Sequence, residues 1–310
     1  MRIFVTGATG FVGSAIVREL VGAGHQVLGL TRSEAGAESL IAAGAEVHRG
    51  DLQDFDSLRS GAAMADAVIH TAFIHDFSKF QENCEIDKRA IEALGSALDG
   101  SGRQLIITSG TGMVAPGRLA TEEDEPVPTS AGMPRASEEA AASVASRGVR
   151  VSVVRLPQVH DRVKQGLITY AIAVARKKGV SAYVGNGLNR WPAVHRLDCA
   201  HLYRLALEKG SPGARYHAVA EEGLPMKEIA EAIGRGLKLP TISLSAEQAG
   251  EHFGWLGFFA GLDMPSSSAL TRQRLGWRPT QTGLLDDLDH ARDFEPELAK
   301  TNGGRYAASK

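Results

Sequence analysis

Three glycines spaced by three, Gly7, Gly10 and Gly13, are the residues of this chain best suited to hold a ligand. They follow an apolar run (Ile3, Phe4, Val5) and precede Phe11, Val12, Ala15 and Ile16, which begin a helix. Strand, glycine turn and helix in that order suit a dinucleotide. Gly7 permits the tight turn, Gly10 lets backbone approach a pyrophosphate, and Gly13 lets the helix lie close on the strand. The helix start offers unpaired N–H groups and partial positive charge to phosphates. We assign Gly7, Thr9, Gly10, Phe11, Val12 and Gly13 to the cofactor.

A second set of residues selects among dinucleotides. At the end of the next strand (Gln26 to Arg32) no acid stands where a ribose diol would need one. Thr31, Arg32 and Ser33 offer a hydroxyl, a guanidinium and a hydroxyl, which suit a 2′-phosphate. NADP(H) is therefore expected over NAD(H), the alternative being that Arg32 is a solvated loop residue. Asp51 could accept from an adenine amino group while Leu52 packs on the ring, or Asp51 could cap the helix near Phe55. The fourth strand ends in Thr71, Ala72 and Phe73, leaving space for a cofactor, and Leu156, Pro157 and Val159 end the sixth in the same way.

The elements that must position these residues are legible as alternating strands and helices. Strands are read at Ile3–Val5, Gln26–Arg32, Ala45–Arg49, Ala67–Phe73, Gln104–Thr111 and Val149–Pro157. Helices are read at Ser14–Ala23, Ala35–Ala43, Phe80–Asp99 and 132–147. This pattern argues for an α/β fold, a Rossmann-type doubly wound parallel sheet. Residues 1–160 form the dinucleotide-binding domain, with 194–220 returning to it. Residues 161–193 and 221–295 form a smaller C-terminal substrate lobe, with helices at Met226–Leu237 and Ala269–Leu275, and 296–310 a loose tail.

Composition narrows the function. Of 310 residues, 43% are hydrophobic and 23% charged, the balance of an ordinary globular protein. A formal charge of −2 gives no electrostatic case for nucleic acid or a membrane surface. Cys84 and Cys199 lack metal-ligand spacing and are read as packing residues, so no metal is expected. The chain starts straight into a strand and has no span-length apolar run, so a cytoplasmic location is expected.

Seven ordered motifs carry a family resemblance: TGATGFVG (Thr6–Gly13), GDL (Gly50–Leu52), VIHTA (Val68–Ala72), TSGT (Thr108–Thr111), RLPQVH (Arg155–His160), VHRLD (Val194–Asp198) and LGWRPT (Leu275–Thr280). In these the chain resembles the extended short-chain dehydrogenase/reductase superfamily, in its epimerase/dehydratase branch. The resemblance implies a nicotinamide cofactor under a substrate cleft and a homodimer through helices flanking it. It also implies a catalytic Tyr with a Lys four residues on, where this chain has Arg135 and Glu139. No Tyr or Lys occurs from Gly112 to Val149. A literal match, Tyr306 to Lys310, lies in the tail, where a pair cannot be pinned beneath a nicotinamide. Thr111 best matches the substrate-polarising hydroxyl, with Ser109 the alternative, and Arg135 could stabilise an oxyanion but not donate a proton. His75, His160, His195, Tyr183 or water could supply the proton, and His75, His160, Tyr183 and Trp191 are taken as substrate contacts. The reaction expected is NADPH-dependent reduction of a carbonyl or related C=X group on a small hydrophobic substrate. A catalytically silent NADP(H) sensor and an epimerase or lyase are the alternatives.

Overall fold

The computed structural model describes residues 1–112, 114–130 and 134–291. The N-terminal half runs β1 (Arg2–Thr6), α1 (Phe11–Gly22), β2 (Gln26–Thr31), α2 (Glu34–Ala42), β3 (Glu46–Arg49), α3 (Phe55–Ala63), β4 (Ala67–His70), α4 (Phe80–Ser96), β5 (Gln104–Gly110), α5 (Ser137–Ala145) and β6 (Arg150–Leu156). Then come β7 (Gln158–His160), α6 (Ile168–Lys178), β8 (Ser181–Val184), β9 (Arg190–His195), α7 (Arg196–Lys209) and β10 (Arg215–His217). The chain continues through β11 (Glu221–Pro225), α8 (Met226–Leu237), β12 (Thr241–Leu244), α9 (Ala246–Phe253), α10 (Gly257–Ala260), α11 (Ala269–Leu275) and α12 (Leu284–Asp289).

Seven strands form one sheet in the order β10-β6-β5-β4-β1-β2-β3, every pair parallel. The central strands are apolar along their middles (Ile3–Val5, Ala67–Ile69 and Leu105–Ile107) because both faces are covered. Successive residues of β1 divide between two cores. Ile3 and Val5 pack with Ile69, Ile106, Ile16 of α1 and Tyr203 of α7. Phe4 packs with Val68, Leu105, Leu58 of α3, Ile91 of α4 and Val144 of α5. This is the period-two alternation of a strand. A third core, with Ile172, Trp191, Ile229 and Leu284, sits among the smaller sheets β11-β9-β7 and β12-β8.

Several boundaries differ from those read in the sequence. The helix expected over 132–147 is formed over Ser137–Ala145, so Arg135 stands two residues ahead of it. α1 starts at Phe11 rather than Ser14, immediately after the glycine turn, and α4 ends at Ser96 rather than Asp99. The short β8, β11 and β12 lack any alternating pattern, which hid them. Both cysteines are buried, and burial pushes the Cys84 thiol up to about 11, so it is protonated and inert. Tyr306, Lys310 and the tail lie outside the described residues. No helix among the described residues is long and apolar enough to cross a membrane.

Candidate active site

The glycine turn is over-determined by its surroundings. Gly7 adopts φ +67°, and a Cβ there would stand 2.7 Å from the Ala72 nitrogen and 2.8 Å from Thr71 Oγ1. A Cβ on Gly13 would stand 2.0 Å from the Gly7 carbonyl oxygen, so α1 can approach the turn only with glycine. Gly10 is the open member: its N–H donates to the Gly7 carbonyl (2.8 Å), and that oxygen is the sole atom near its virtual Cβ, at 3.1 Å. Gly10 also caps α1 without a side chain, and no acid occupies the first turn. The first N–H groups of α1, beside Thr9, Phe11 and Val12, therefore lack a side-chain acceptor. Lys164 and Arg196 lie over the Phe11 ring, at 5.8 and 5.1 Å from its centroid. Open backbone, a helix N-terminus and two nearby cations fit the diphosphate of a dinucleotide.

The end of β2 is arranged less simply than its sequence suggests. Thr31 is buried, and its hydroxyl faces the Ser33 backbone (3.4 and 3.5 Å), shaping the turn rather than presenting to a ligand. Ser33 caps α2 by accepting from the Gly36 N–H (3.1 Å), and its own O–H stays available. The Arg32 side chain is 82% exposed, with Asp51 at 3.4 Å its one partner among the described residues. Asp51 is not a helix cap: it accepts from the Gln53 N–H at 3.0 Å, while Asp54 caps α3 through Ser57. Leu52 is buried in the core beneath.

Beyond β4 the chain carries the second half of the cleft. Thr71 Oγ1 donates to the Thr6 carbonyl (2.8 Å) and the Ala72 N–H reaches Thr6 Oγ1 (3.4 Å), tying this strand end to the glycine turn. The Phe73 ring lies under the Arg135 guanidinium, 4.8 Å away. Arg135 Nε donates to Ser137 Oγ (3.2 Å), which donates to Asp87 Oδ2 (2.5 Å). Asp87 Oδ1 meets His70 Nε2 at 3.1 Å, and His70 Nδ1 meets Thr6 Oγ1 at 2.7 Å. Burial pushes the Asp87 carboxyl up. The bond to and charge of His70, the Arg135 cation and the Ser137 hydroxyl outweigh this and hold it below the usual carboxylate value. Asp87 is thus an ionised group in the core, and Arg135 is the cation at the cleft end of its chain. Composition and spacing gave no sign of this network, because its links from Ser137 through Asp87 and His70 to Thr6 span 17 to 64 residues each.

The remaining predicted residues separate into those near this cleft and those away from it. His75 packs edge-on against Phe73 (5.3 Å), and its Nδ1 is 3.0 Å from the Phe73 carbonyl. Packing around its ring, then the Lys164 and Arg135 charges, pull its pKa below the ordinary 6.5. Ser109 is buried at the end of β5, and its hydroxyl has no hydrogen-bond partner among the described residues. Thr111 is turned inward: its hydroxyl faces the Leu156 carbonyl at 3.4 Å, which corrects its ranking above Ser109. Glu139 is exposed, and hydrogen bonds from Thr129 hold its carboxyl low. Leu156 and Pro157 are half-buried, whereas Val159 is packed in the first core.

Two substrate assignments fail on burial. Trp191 is buried, its indole N–H donating to the Leu262 carbonyl (3.2 Å), and so belongs to the lobe core. His160 is fully buried with Nδ1 2.8 Å from Asp287 Oδ2, joining β7 to α12. Tyr183 is half-buried on β8 against the Gly187 turn, 2.6 Å from that residue's virtual Cβ. His195 caps α7 by accepting from the Leu197 N–H (3.2 Å). A further buried pair, Arg155 with Glu138, bonded at 2.8 Å through both Nε and Nη2, anchors α5 to β6. It was legible only as an arginine in a motif.

Known proteins fit this geometry. An uncharacterized protein of Schizosaccharomyces pombe is 53% identical over 294 residues, covering 93% of this chain and 98% of its own. A 4-hydroxy-2-methyl-3-oxo-4-farnesyl-3,4-dihydroquinoline-1-oxide ketoreductase of Stigmatella aurantiaca is 26% identical over 82% of this chain and 80% of its own. The dTDP-glucose 4,6-dehydratase of Streptomyces venezuelae, solved with NAD bound, superposes with a TM-score of 0.75 at 21% identity. That match covers 95% of this chain and 96% of the dehydratase, and shows the shared fold. The model of the NAD dependent epimerase/dehydratase family matches residues 3–219, from the first strand to beyond the last strand of the large sheet. With the glycine cradle, the parallel sheet and that match in agreement, the chain belongs to the NAD dependent epimerase/dehydratase family.

Proposed function

We propose that this protein is an NADPH-dependent reductase of a carbonyl or related C=X group on a small hydrophobic substrate, with Arg135 where its family relatives are expected to carry a proton-donating tyrosine. The observation that carries this reading is the anchoring of Arg135. A guanidinium stacked on Phe73 and bonded through Ser137 to buried Asp87 is a fixed cation at the cleft. Such a group stabilises negative charge developing on a substrate oxygen. The Ser109 hydroxyl is a second donor for the same oxygen. A bound nicotinamide supplies the hydride. Gly7, Gly10, Gly13 and the α1 N-terminus hold its diphosphate, while Arg32 and Ser33 face the 2′-phosphate. Arginine stays protonated, so the proton for the new O–H comes from water; the His75 Nδ1–H is engaged by the Phe73 carbonyl, which leaves Nε2 as an acceptor that can orient that water. An epimerase or lyase needs an acid/base pair, and the absence of Tyr and Lys from Gly112 to Val149 weighs against it as much as against a tyrosine-dependent reductase.

The test is NADPH oxidation followed across a panel of hydrophobic ketones, aldehydes and imines, beside binding of NADPH and NADH. The reading expects turnover on at least one class and tighter binding of NADPH. Tight NADPH binding without turnover on any of them moves the assignment to a nucleotide-binding sensor.

A further inference from the structure

The segment joining β4 to α4 and the lobe residues facing it carry three aromatic rings, Phe77, Tyr170 and Trp255, that the proposed chemistry does not use. Phe77, on the turn after β4, stacks on Trp255 of the lobe with centroids 4.2 Å apart and planes at 11°. Tyr170 of α6 meets both edge-on, at 6.0 and 5.1 Å. Phe77 continues through His75 (6.2 Å) to Phe73 (5.3 Å), the ring beneath Arg135. None of Phe73, Phe77, Tyr170 and Trp255 belongs to any of the three cores. Trp255 is 40% and Tyr170 37% exposed, whereas Trp191 and Trp277 are fully buried.

Two features make this stack a gate rather than a core. Trp255 is flanked by Gly254, at φ +59°, and Gly257, while Leu256 between them is buried and pins the segment. Phe77 is held from the other side: Asp76 accepts from the Ser78 N–H (3.0 Å), and the Asn83 amide donates to the Asp76 carbonyl (2.8 Å). Phe77 and Trp255 present two electron-rich faces, nearly parallel with centroids 4.2 Å apart. An electron-poor ring between two such faces adds quadrupole attraction that the bare pair lacks, and a ring conjugated to a carbonyl is electron-poor.

The geometry points to Phe77 and Trp255 as a stacking clamp for the substrate, which is a planar aromatic compound with a conjugated carbonyl directed along Phe73 toward Arg135. This rests on the reductase reading for the fate of the carbonyl, but ring binding stands apart from turnover. Admitting the ring requires the two centroids to separate to about 7 Å, twice a van der Waals contact. Gly254, whose virtual Cβ meets nothing within 4 Å, supplies that freedom on the Trp255 side.

The test is isothermal calorimetry of 2-acetylnaphthalene and its saturated decalin analogue on the protein with NADP+, where nothing turns over. Wild type is expected to bind the aromatic ketone roughly tenfold tighter. Phe77→Leu and Trp255→Leu, on separate elements, should each bring the ratio below about 2, while Trp255→Phe should keep most of it. An unchanged ratio in both leucine variants overturns the clamp. Equal NADPH-driven reduction of the two ketones overturns it while leaving the reductase standing. Tight aromatic binding without NADPH oxidation supports the clamp and overturns the reductase.

Discussion

The glycine turn and the approach to α5 lie at the carboxyl ends of the strands of one sheet and are built in opposite ways. The turn is made of backbone, where Gly7 and Gly13 leave no room for a Cβ and the helix N–H groups do the binding. The approach to α5 is made of side chains, where a chain from Thr6 through His70, Asp87 and Ser137 fixes one arginine. A backbone device tolerates little change and serves one ligand. A side-chain device can exchange its terminal group while the scaffold stays, which is how a family fold can hold its cofactor and alter its chemistry.

This contrast can be broken at several points. Gly13→Ala forces a methyl against a carbonyl that cannot yield, since α1 and the turn share the contact. The expected cost is about 3 kcal/mol, with a Tm fall on the order of 5–10 °C and loss of NADPH binding, read by thermal melts and fluorescence titration. Arg135→Leu should leave NADPH affinity intact and lower kcat by roughly 100-fold. Equal loss of affinity and rate would instead make Arg135 part of the cofactor cradle. Arg32→Ala should weaken NADPH by roughly tenfold and leave NADH unchanged, and an unaltered NADPH Kd removes the 2′-phosphate argument.

The smallest effect concerns pH. Burial draws the His160 pKa below 6.5, outweighing its bond to Asp287. A depressed histidine leaves the unfolded chain binding the extra proton, so its stabilising contribution is complete above pH 6.5 and declines as pH falls through the folded value. Melts across this window should show a shallower slope for His160→Gln than for wild type, whatever the absolute Tm of the variant.

The large sheet and the cradle were legible because each rests on neighbours in sequence. Ile3 to Val5 declares a buried strand, and the spacing of Gly7, Gly10 and Gly13 declares the turn that follows. Arg32 was legible for a weaker reason, the absence of an acid, and its neighbour Thr31 was misjudged because a hydroxyl's direction is not written in sequence. Residue type alone does not separate Trp191 and His160 from ligand contacts: an indole whose N–H finds a carbonyl and a histidine that finds a buried aspartate are core residues. The Asp87 chain and the Phe77–Trp255 stack join elements far apart in sequence, so no local period exposes them. The late start of α5 matters most, since it frees Arg135 from helical geometry and lets it lie across Phe73.

The most direct test follows deuterium from the nicotinamide C4 of labelled NADPH into product, using a conjugated ketone with wild type and with Arg135→Leu. The account predicts label at the former carbonyl carbon with wild type and about a 100-fold slower appearance with the variant at unchanged NADPH affinity. Bound NADPH that delivers no label, or a variant as fast as wild type, contradicts it.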